Sequence, residues 1–334
     1  MRKWMKRLTV LILAIPVLAV GAWCAYYPFA SIPLKSSPMS FTINTGSSLR
    51  TASQQMVEAG VLAHALPFEV LTRLLGDPKN IKAGNYEVEA GVTPLDLMNK
   101  LTRGDYTAVA ITFVEGWNFR QVRKVLDEHP GLKHDTPSLS EAELLKRLGI
   151  PQQSPEGLFF PDTYHFSKGV SDLNILRRSY QLMQKHLAAE WERRPANYPL
   201  GTPYEALILA SIVEKETGTA AERSLISAVF LNRLKVGMKL QTDPTVIYGL
   251  GELFDGNLRK QDLATDHPYN TYTRGGMPPT PIAMPGLGSL QAALHPASTD
   301  ALYFVAKGDG SSHFSRSYEE HDRAVTKYQR SQKR

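Results

Sequence analysis

Residues 206–217 read ALILASIVEKET, an almost unbroken apolar run that closes on two glutamates and a threonine. The composition predicts a buried helix. Leu209, Ile212 and Glu216 share one face of that helix, whereas Glu214 lies on roughly the opposite side. Because desolvation disfavours a charged carboxylate, the acid that continues the apolar stripe is a candidate general acid that stays protonated near neutral pH. The alternative is a helix end with two solvated glutamates, although the helix macrodipole disfavours acids at that end.

The N-terminal segment differs from the rest of the chain. Residues 1–7 carry four basic side chains, whereas residues 8–27 carry no charge and are long enough to span a bilayer as a helix. The positive flank predicts a cytoplasmic tail at residues 1–7, a transmembrane anchor at residues 8–27 and an extracytoplasmic location for everything after them. A cleaved signal peptide is the alternative, but the apolar run is longer than a usual signal sequence and no Ala-x-Ala site closes it.

Composition limits the class of protein. A length of 334 residues is enough for two or three domains of ordinary size. Cys24 is the only cysteine, so the chain has no intrachain disulfide. Without the four charges beside the anchor, the net charge of +6 falls to about +2, which gives no reason to expect a nucleic-acid partner. The sequence contains no His-Glu-x-x-His run and no phosphate-binding loop, so we expect neither a metal nor another cofactor.

The remaining chain is predicted to be α+β, with a linker and two folded regions. Residues 28–40 contain three prolines and form a semi-extended linker. Residues 41–105 show a strand, two helices, a strand and a helix in order, which indicates a small subdomain. Residues 106–334 begin with a β-rich run, continue mainly as helices and include a strand at residues 302–306 that leads into a hairpin turn. Helices are expected at about residues 119–126, 138–149, 173–193, 206–217 and 220–236.

Three polar loops follow the last of these helices. Residues 240–245, 268–272 and 276–283 combine turn-forming residues with amides, hydroxyls and tyrosines. Loops of this composition line clefts, where amide and hydroxyl groups bond the hydroxyls of a sugar and aromatic faces stack on its rings. An ordinary protein surface has a similar composition, so on their own the loops favour a carbohydrate ligand only weakly.

Together with residues 210–217, these loops resemble the MltG (YceG-like) family of membrane-anchored endolytic murein transglycosylases. The similarity covers nearly everything after the linker and rests on short stretches that occur in a fixed order. The resemblance implies an N-terminal transmembrane anchor, a LysM-like α/β subdomain at residues 41–105 and a lysozyme-like mixed α+β catalytic domain at residues 106–334. The matching stretches are residues 84–86, 114–116, 160–163, 229–234, 240–249, 269–272, 278–285 and 295–297.

The resemblance also implies a reaction. It is cleavage of the β-1,4 bond between N-acetylmuramic acid and N-acetylglucosamine within glycan strands, with formation of a 1,6-anhydro-muramyl end that terminates or trims nascent strands. One glutamate suffices, because it first protonates the glycosidic oxygen and then, as a carboxylate, takes the proton of the C6 hydroxyl. The implied partners are peptidoglycan strands, the inner membrane and enzymes of wall synthesis, with the catalytic domain in the periplasm.

The resemblance assigns roles to particular residues. The catalytic glutamate of lytic transglycosylases is followed by serine, and Thr217 keeps a hydroxyl after Glu216, whereas a lysine follows Glu214. Glu216 is therefore the expected catalytic residue. Glu214 is expected to assist in the substrate cleft or to pair with a base such as Arg223 or Arg233. The candidates for saccharide contacts are Glu214, Gln241, Thr242, Asp243, Tyr269, Asn270, Thr271 and Tyr272.

Several interpretations stay open at this point. Asp243 precedes a proline, and capping a short helix explains it as well as a role in catalysis does. A hydrolytic muramidase would need a second carboxylate, for which Asp243 and Glu222 are the candidates. A non-catalytic scaffold would use the LysM-like region and the cleft only to hold glycan, and the Glu216-Thr217 pair argues against it.

Overall fold

The computed structural model covers most of the chain. Only four residues of the predicted anchor at residues 8–27 are described, and Cys24 is not among them. No helix in the described part of the chain is both long and apolar enough to cross a membrane. The described residues are Gly21 and residues 25–105, 108–216 and 219–330.

The chain divides into two compact units, and both contain helices and strands, which confirms the predicted α+β class. The first unit consists of Met1–Ala110 and His165–Val170. The second consists of Ile111–Tyr164 and Ser171–Arg334. The second unit therefore holds Glu216 together with the three polar loops.

The first unit is built on a two-stranded antiparallel sheet. Strand β1, Met39–Ile43, pairs with β2, Gly84–Val88, in a register that places Phe41 opposite Tyr86. Both side chains are buried, and their rings stack with 5.5 Å between centroids. Two helices lie between the strands in the sequence and a third follows, which is the predicted order of elements. The helices are α1, Leu49–Glu58, α2, Ala65–Leu75, and α3, Pro94–Arg103.

Local sequence signals set the ends of these helices. Ser48 caps α1, because its hydroxyl accepts a hydrogen bond of 3.2 Å from the amide of Thr51. Thr93 and Asp96 form a reciprocal capping box at the start of α3. Gly104 follows α3 with a φ of 78°, a left-handed conformation that favours glycine. The buried faces meet in a core that includes Met56, Phe68, Leu97 and Leu101.

Short strands lie at and near the points where the chain passes from one unit to the other. Strand β3, Ala108–Thr112, pairs with β5, Thr163–Ser167. The helix expected at residues 138–149 begins at Glu141, because Ser140 provides its cap. The other elements of this part are α4, Phe119–Glu128, β4, Leu132–Lys133, α5, Glu141–Leu148, β6, Val170–Ser171, and α6, Asp172–Glu192.

A buried helix forms the centre of the second unit. Helix α7, Pro203–Glu216, packs against α6 and against helices that follow it in the chain. Residues 206–213 are buried without a break, so α7 is enclosed on all sides. The expectation that one apolar stripe separates Glu216 from Glu214 is therefore wrong, because this run is too apolar to leave a solvent-facing side. The following helices are α8, Arg223–Lys235, α9, Asp243–Leu250, α10, Lys260–Ala264, and α11, Leu287–Leu294.

The C-terminal part of the second unit is a hairpin with a helix packed on it. Strands β7, Tyr303–Ala306, and β8, Ser312–Ser315, pair antiparallel, as the predicted turn between them requires. Helix α12, Tyr318–Val325, contacts both strands and continues as a π-helical turn over Thr326–Arg330. The hairpin and α12 bring a late segment of the chain to the end of α7.

Candidate active site

Glu216 is the last residue of α7, and its side chain is half-buried. The Thr242 hydroxyl donates a hydrogen bond of 2.9 Å to Glu216 Oε2. Burial raises the pKa of Glu216 to about 7, and the negative charge of Asp243 acts in the same direction. The hydrogen bond from Thr242 and the positive charge of Arg233 oppose this rise without cancelling it. A large fraction of the carboxyl is therefore protonated near neutral pH, as a general acid requires.

Glu214, two residues earlier in α7, has different partners. Its side chain is 7 % exposed, and Oε1 lies 4.0 Å from the guanidinium of Arg223. The amide of Gly286 donates a hydrogen bond of 3.0 Å to Oε2. Of the two bases expected beside Glu214, Arg223 is the one that pairs with it, whereas Arg233 lies near Glu216. These contacts tie Glu214 to α8 and to the start of α11, and its side chain does not line the cleft that contains Glu216.

The polar loop before α9 places the Thr242 hydroxyl. Thr242 is 1 % exposed, and its amide donates a hydrogen bond of 3.1 Å to the Thr271 hydroxyl. That hydroxyl also bonds the Thr245 hydroxyl at 2.9 Å. Gln241 has a φ of 50°, a left-handed conformation that costs a non-glycine residue about 1 kcal/mol or more. The surrounding hydrogen bonds hold this strained turn, and they fix the donor that meets Glu216.

Asp243 is the first residue of α9 and is exposed. The N-cap position belongs to Thr242, which makes no side-chain cap bond, so Asp243 does not cap the helix. The Tyr272 hydroxyl instead donates a short hydrogen bond to Asp243 Oδ1. Burial and the neighbouring carboxylates raise the pKa of Tyr272, which keeps the phenol protonated and able to donate. Asp243 and Tyr272 thus form a polar pair beside Glu216.

A cleft of about 320 Å³ opens at the Glu216 carboxyl. Arg233 forms part of its wall and is held rigidly, since Nε donates to the Leu302 carbonyl and Nη1 to the Leu240 carbonyl, each at 2.7 Å. Its guanidinium lies 5.3 Å from the ring centroid of Tyr303. Aromatic side chains from the hairpin and from α12 complete the lining. The cleft is lined by Glu216, Arg233, Gln241, Asp243, Tyr272, Tyr303, Phe304, Tyr318 and His321, together with Leu240.

The other expected saccharide contacts are used inside the loop itself. Asn270 is 1 % exposed, and its side-chain amide donates to three backbone carbonyls of residues 262–265. Thr271 is 2 % exposed and bonds Thr242. The Tyr269 hydroxyl lies 2.8 Å from that of Thr280, and its ring packs on Tyr248. These residues set the shape of the loop, whereas Gln241, Asp243 and Tyr272 reach the cleft.

Sequence reasoning missed the wall that β7, α12 and Arg233 provide. The hairpin was expected, but no local pattern in residues 302–321 indicates that Tyr303, Tyr318 and His321 face Glu216. The sequence offered Arg223 and Arg233 as possible partners of an acid at the end of α7, and nothing in it indicated which of the two lies near Glu216. Thr217, the other member of the expected Glu-Thr pair, lies outside the described residues.

The arrangement can transfer a proton with a single acid. Among the described residues that line this cleft, the carboxylates belong to Glu216 and Asp243. Glu222, the other acid considered for a second carboxylate, accepts a hydrogen bond of 2.7 Å from the Ser312 amide and does not line the cleft. In the described ranges no group of three or more His, Cys, Asp and Glu side chains is placed to hold a metal ion.

Comparison with known proteins identifies the family. The sequence pattern of the YceG-like family matches residues 41–327. This chain belongs to the YceG-like family. The endolytic murein transglycosylase of Bacillus subtilis (strain 168) is 33 % identical over 316 residues, which cover 88 % of this chain and 86 % of that protein. The endolytic murein transglycosylase of Streptococcus pneumoniae (strain D39) is 26 % identical over 319 residues, with 86 % of this chain and 57 % of that protein covered.

A solved structure of a YceG-like protein from Listeria monocytogenes has the same fold. It aligns with a TM-score of 0.54 at 30 % sequence identity, and the alignment covers 86 % of this chain and 98 % of the Listeria chain. Membership of the YceG-like family confirms the resemblance found in the sequence. The match spans both units and includes α7, α9 and the polar loops that carry the candidate site.

Proposed function

We propose that this chain is an endolytic murein transglycosylase, which cleaves the bond between N-acetylmuramic acid and N-acetylglucosamine inside glycan strands. The observation that carries the proposal is Glu216, a carboxyl with a pKa raised to about 7 that accepts a hydrogen bond from Thr242 at the edge of an aromatic-lined cleft. The names of the Bacillus and Streptococcus relatives support it.

The proposed reaction needs one proton carrier. Protonated Glu216 gives its proton to the glycosidic oxygen, and the bond from that oxygen to C1 of the muramyl residue breaks. The resulting carboxylate takes the proton of the C6 hydroxyl as the C6 oxygen bonds C1, so no water enters the product. Thr242 donates a hydrogen bond to the carboxylate in the second step. Rings of Tyr303 and Tyr318 are available for stacking on sugar faces, and Gln241 and Tyr272 are available for hydroxyl contacts.

The remaining parts of the proposal concern the first unit and its location. Residues 8–27 anchor the protein in the inner membrane with the N-terminus in the cytoplasm, which is supported by the uncharged run and its basic flank. The two strands that enclose α1 and α2 support a LysM-like, glycan-binding role for the first unit. An anchored enzyme meets strands as they are made, so enzymes of wall synthesis are the proposed protein partners.

A hydrolytic muramidase is the second candidate, because the Asp243 carboxylate lines the same cleft as Glu216. Such an enzyme would use Asp243 on the opposite side of the sugar ring from the acid. In the preferred mechanism Asp243 keeps Tyr272 in place and raises the pKa of Glu216.

Mass spectrometry of products from purified murein tests the proposal. The transglycosylase leaves anhydro-muramyl ends with no gain of water, a muramidase adds water, and a scaffold releases nothing. Glu216→Gln is expected to bind glycan and to release no product, whereas Glu214→Gln, which disturbs an ion pair outside the cleft, keeps the anhydro product. Loss of that product only in Glu214→Gln would move the catalytic role to Glu214.

A further inference from the structure

A second cleft of about 670 Å³ lies in the same unit, beside the last turn of α7. Its lining includes Lys215, which precedes Glu216, and Pro244, which follows Asp243. The end of α7 and the start of α9 therefore each contribute one residue to the first cleft and an adjacent residue to the second.

The chemistry of the second cleft differs from that of the first. Both cations and carboxylates line it, together with amide and hydroxyl groups. Its aromatic residues already pack on other rings, since Phe119 is 4 % exposed and stacks on Phe159, and the ring of Tyr248 packs on Tyr269. A lining of this kind suits a ligand with charges of both signs better than a neutral sugar ring. The groups that determine this character are Arg120, Lys215, Glu141, Glu252, Asn118 and Gln121.

The floor of the second cleft is preformed. Glu156 is 4 % exposed, and each of its carboxyl oxygens lies 3.1 Å from the amide of Phe119 at the start of α4. The Tyr248 hydroxyl, on α9, donates to Glu156 Oε2 at 3.1 Å. Burial raises the pKa of Glu156 to about 7. The buried carboxyl therefore links α4 to α9, the helix that begins beside Glu216.

Charges at the rim are available for exchange with a ligand. Arg120 and Glu252 form an ion pair of 2.7 Å, with 65 % and 81 % of their side chains exposed. Exposed pairs of this kind contribute little to stability, so either member can exchange its partner for a charged ligand group. Lys215 is also exposed, and its Nζ donates to the Gly116 carbonyl at 3.3 Å.

We propose that this second cleft binds the stem peptide of the muramyl residue at the scissile bond, an inference that rests on the proposed function. A muramyl residue carries its peptide on the lactyl ether at O3, so the peptide leaves the same sugar ring whose bond from C1 to oxygen breaks when Glu216 protonates the glycosidic oxygen. Stem peptides present free carboxylates and an ammonium group. Lys215 and Arg120 meet the carboxylates, and Glu252 and Glu141 meet the ammonium.

Comparison of two substrates tests this assignment. One is murein strands with their stem peptides, and the other is the same strands stripped of peptides by an amidase. The ratio of kcat/KM for peptide-bearing over stripped strands is expected to exceed one in the wild-type protein. It should fall about tenfold in the double variant Arg120→Gln with Lys215→Gln, which removes two exposed charge contacts. Lys124→Gln, an exposed cation on α4 outside the cleft, is the control and should keep the wild-type ratio.

A wild-type ratio of one, or a ratio that the double variant does not change, would overturn the assignment. Failure of the proposed function has a different signature, since neither substrate would then yield anhydro-muramyl ends. In that case binding of a disaccharide-peptide to Glu216→Gln, with and without the two rim substitutions, decides the question. Affinity that does not fall when Arg120 and Lys215 are replaced would refute the peptide site whatever the reaction is.

Discussion

The Glu216→Gln variant is expected to be more stable than the wild-type protein at alkaline pH. Burial raises the pKa of Glu216 from its ordinary value of 4.5 to about 7, so between these values the folded protein keeps a proton that the unfolded chain has released. The stability that this carboxyl contributes is complete below pH 4.5 and is lost as the pH rises through 7. The difference in pKa corresponds to about 3 kcal/mol. Glutamine stays neutral and can still accept the hydrogen bond from Thr242.

Urea unfolding of both proteins at about pH 5 and about pH 8 measures this effect. The gain of Glu216→Gln over wild type should be less than about 1 kcal/mol at the lower pH and about 3 kcal/mol at the higher. Glu156, whose pKa is also raised to about 7, titrates in both proteins and cancels in the difference. An equal gain at the two pH values would show that Glu216 ionises as an ordinary glutamate, and the general-acid argument would fail. The variant should at the same time release no anhydro product.

Three further substitutions test the contacts of Glu216. Thr242→Val removes the hydrogen bond that lowers the pKa of Glu216. The alkaline limb of the pH profile of kcat, which reports loss of the protonated acid, should therefore move to higher pH, and Thr242→Ser should restore it. An unchanged limb in the valine variant would contradict the contact. Asp243→Asn should keep measurable anhydro product in a mass-spectrometric digest, and complete loss of product would favour a two-carboxylate mechanism. Arg233→Met removes the donors to the Leu240 and Leu302 carbonyls, the first of which is in a buried contact, and should lower the free energy of unfolding by about 3 kcal/mol in urea titrations. Lys235→Met, exposed on the same helix, should change it by less than about 0.5 kcal/mol. Similar values for both variants would refute the structural role of Arg233.

Much of the fold could be predicted because its signals are local. Ser48 caps α1, Thr93 and Pro94 open α3, and Gly104 ends it, all through contacts within a few residues. The apolar run at residues 206–213 likewise predicts a buried helix from its own composition, independently of any other segment. Errors at this level were small, as in the start of α5, which is Glu141 instead of the expected residue 138 because Ser140 caps the helix.

The candidate site was only partly predictable, and Glu214 and Glu216 show why. Both acids end the same buried helix, so an apolar stripe does not separate them, although the predicted rise in the pKa of Glu216 is confirmed. Partners from distant segments distinguish them. Gly286 and Arg223 contact Glu214, whereas Glu216 accepts a hydrogen bond from the Thr242 hydroxyl and lies near the charges of Asp243 and Arg233. Sequence spacing does not report such contacts.

The amino-acid sequence alone thus determined the buried helix, the two acids at its end, the polar loops and the family. Tertiary packing alone decided the surroundings that raise the pKa of Glu216 and which loop residues reach the cleft. It buried Asn270 and Thr271 inside the loop and brought Tyr303 and Arg233 to Glu216. The physical reason is that helix and turn preferences depend on neighbouring residues, whereas the pKa of a carboxyl depends on the solvent and charges around it, which are set by segments far apart in the chain.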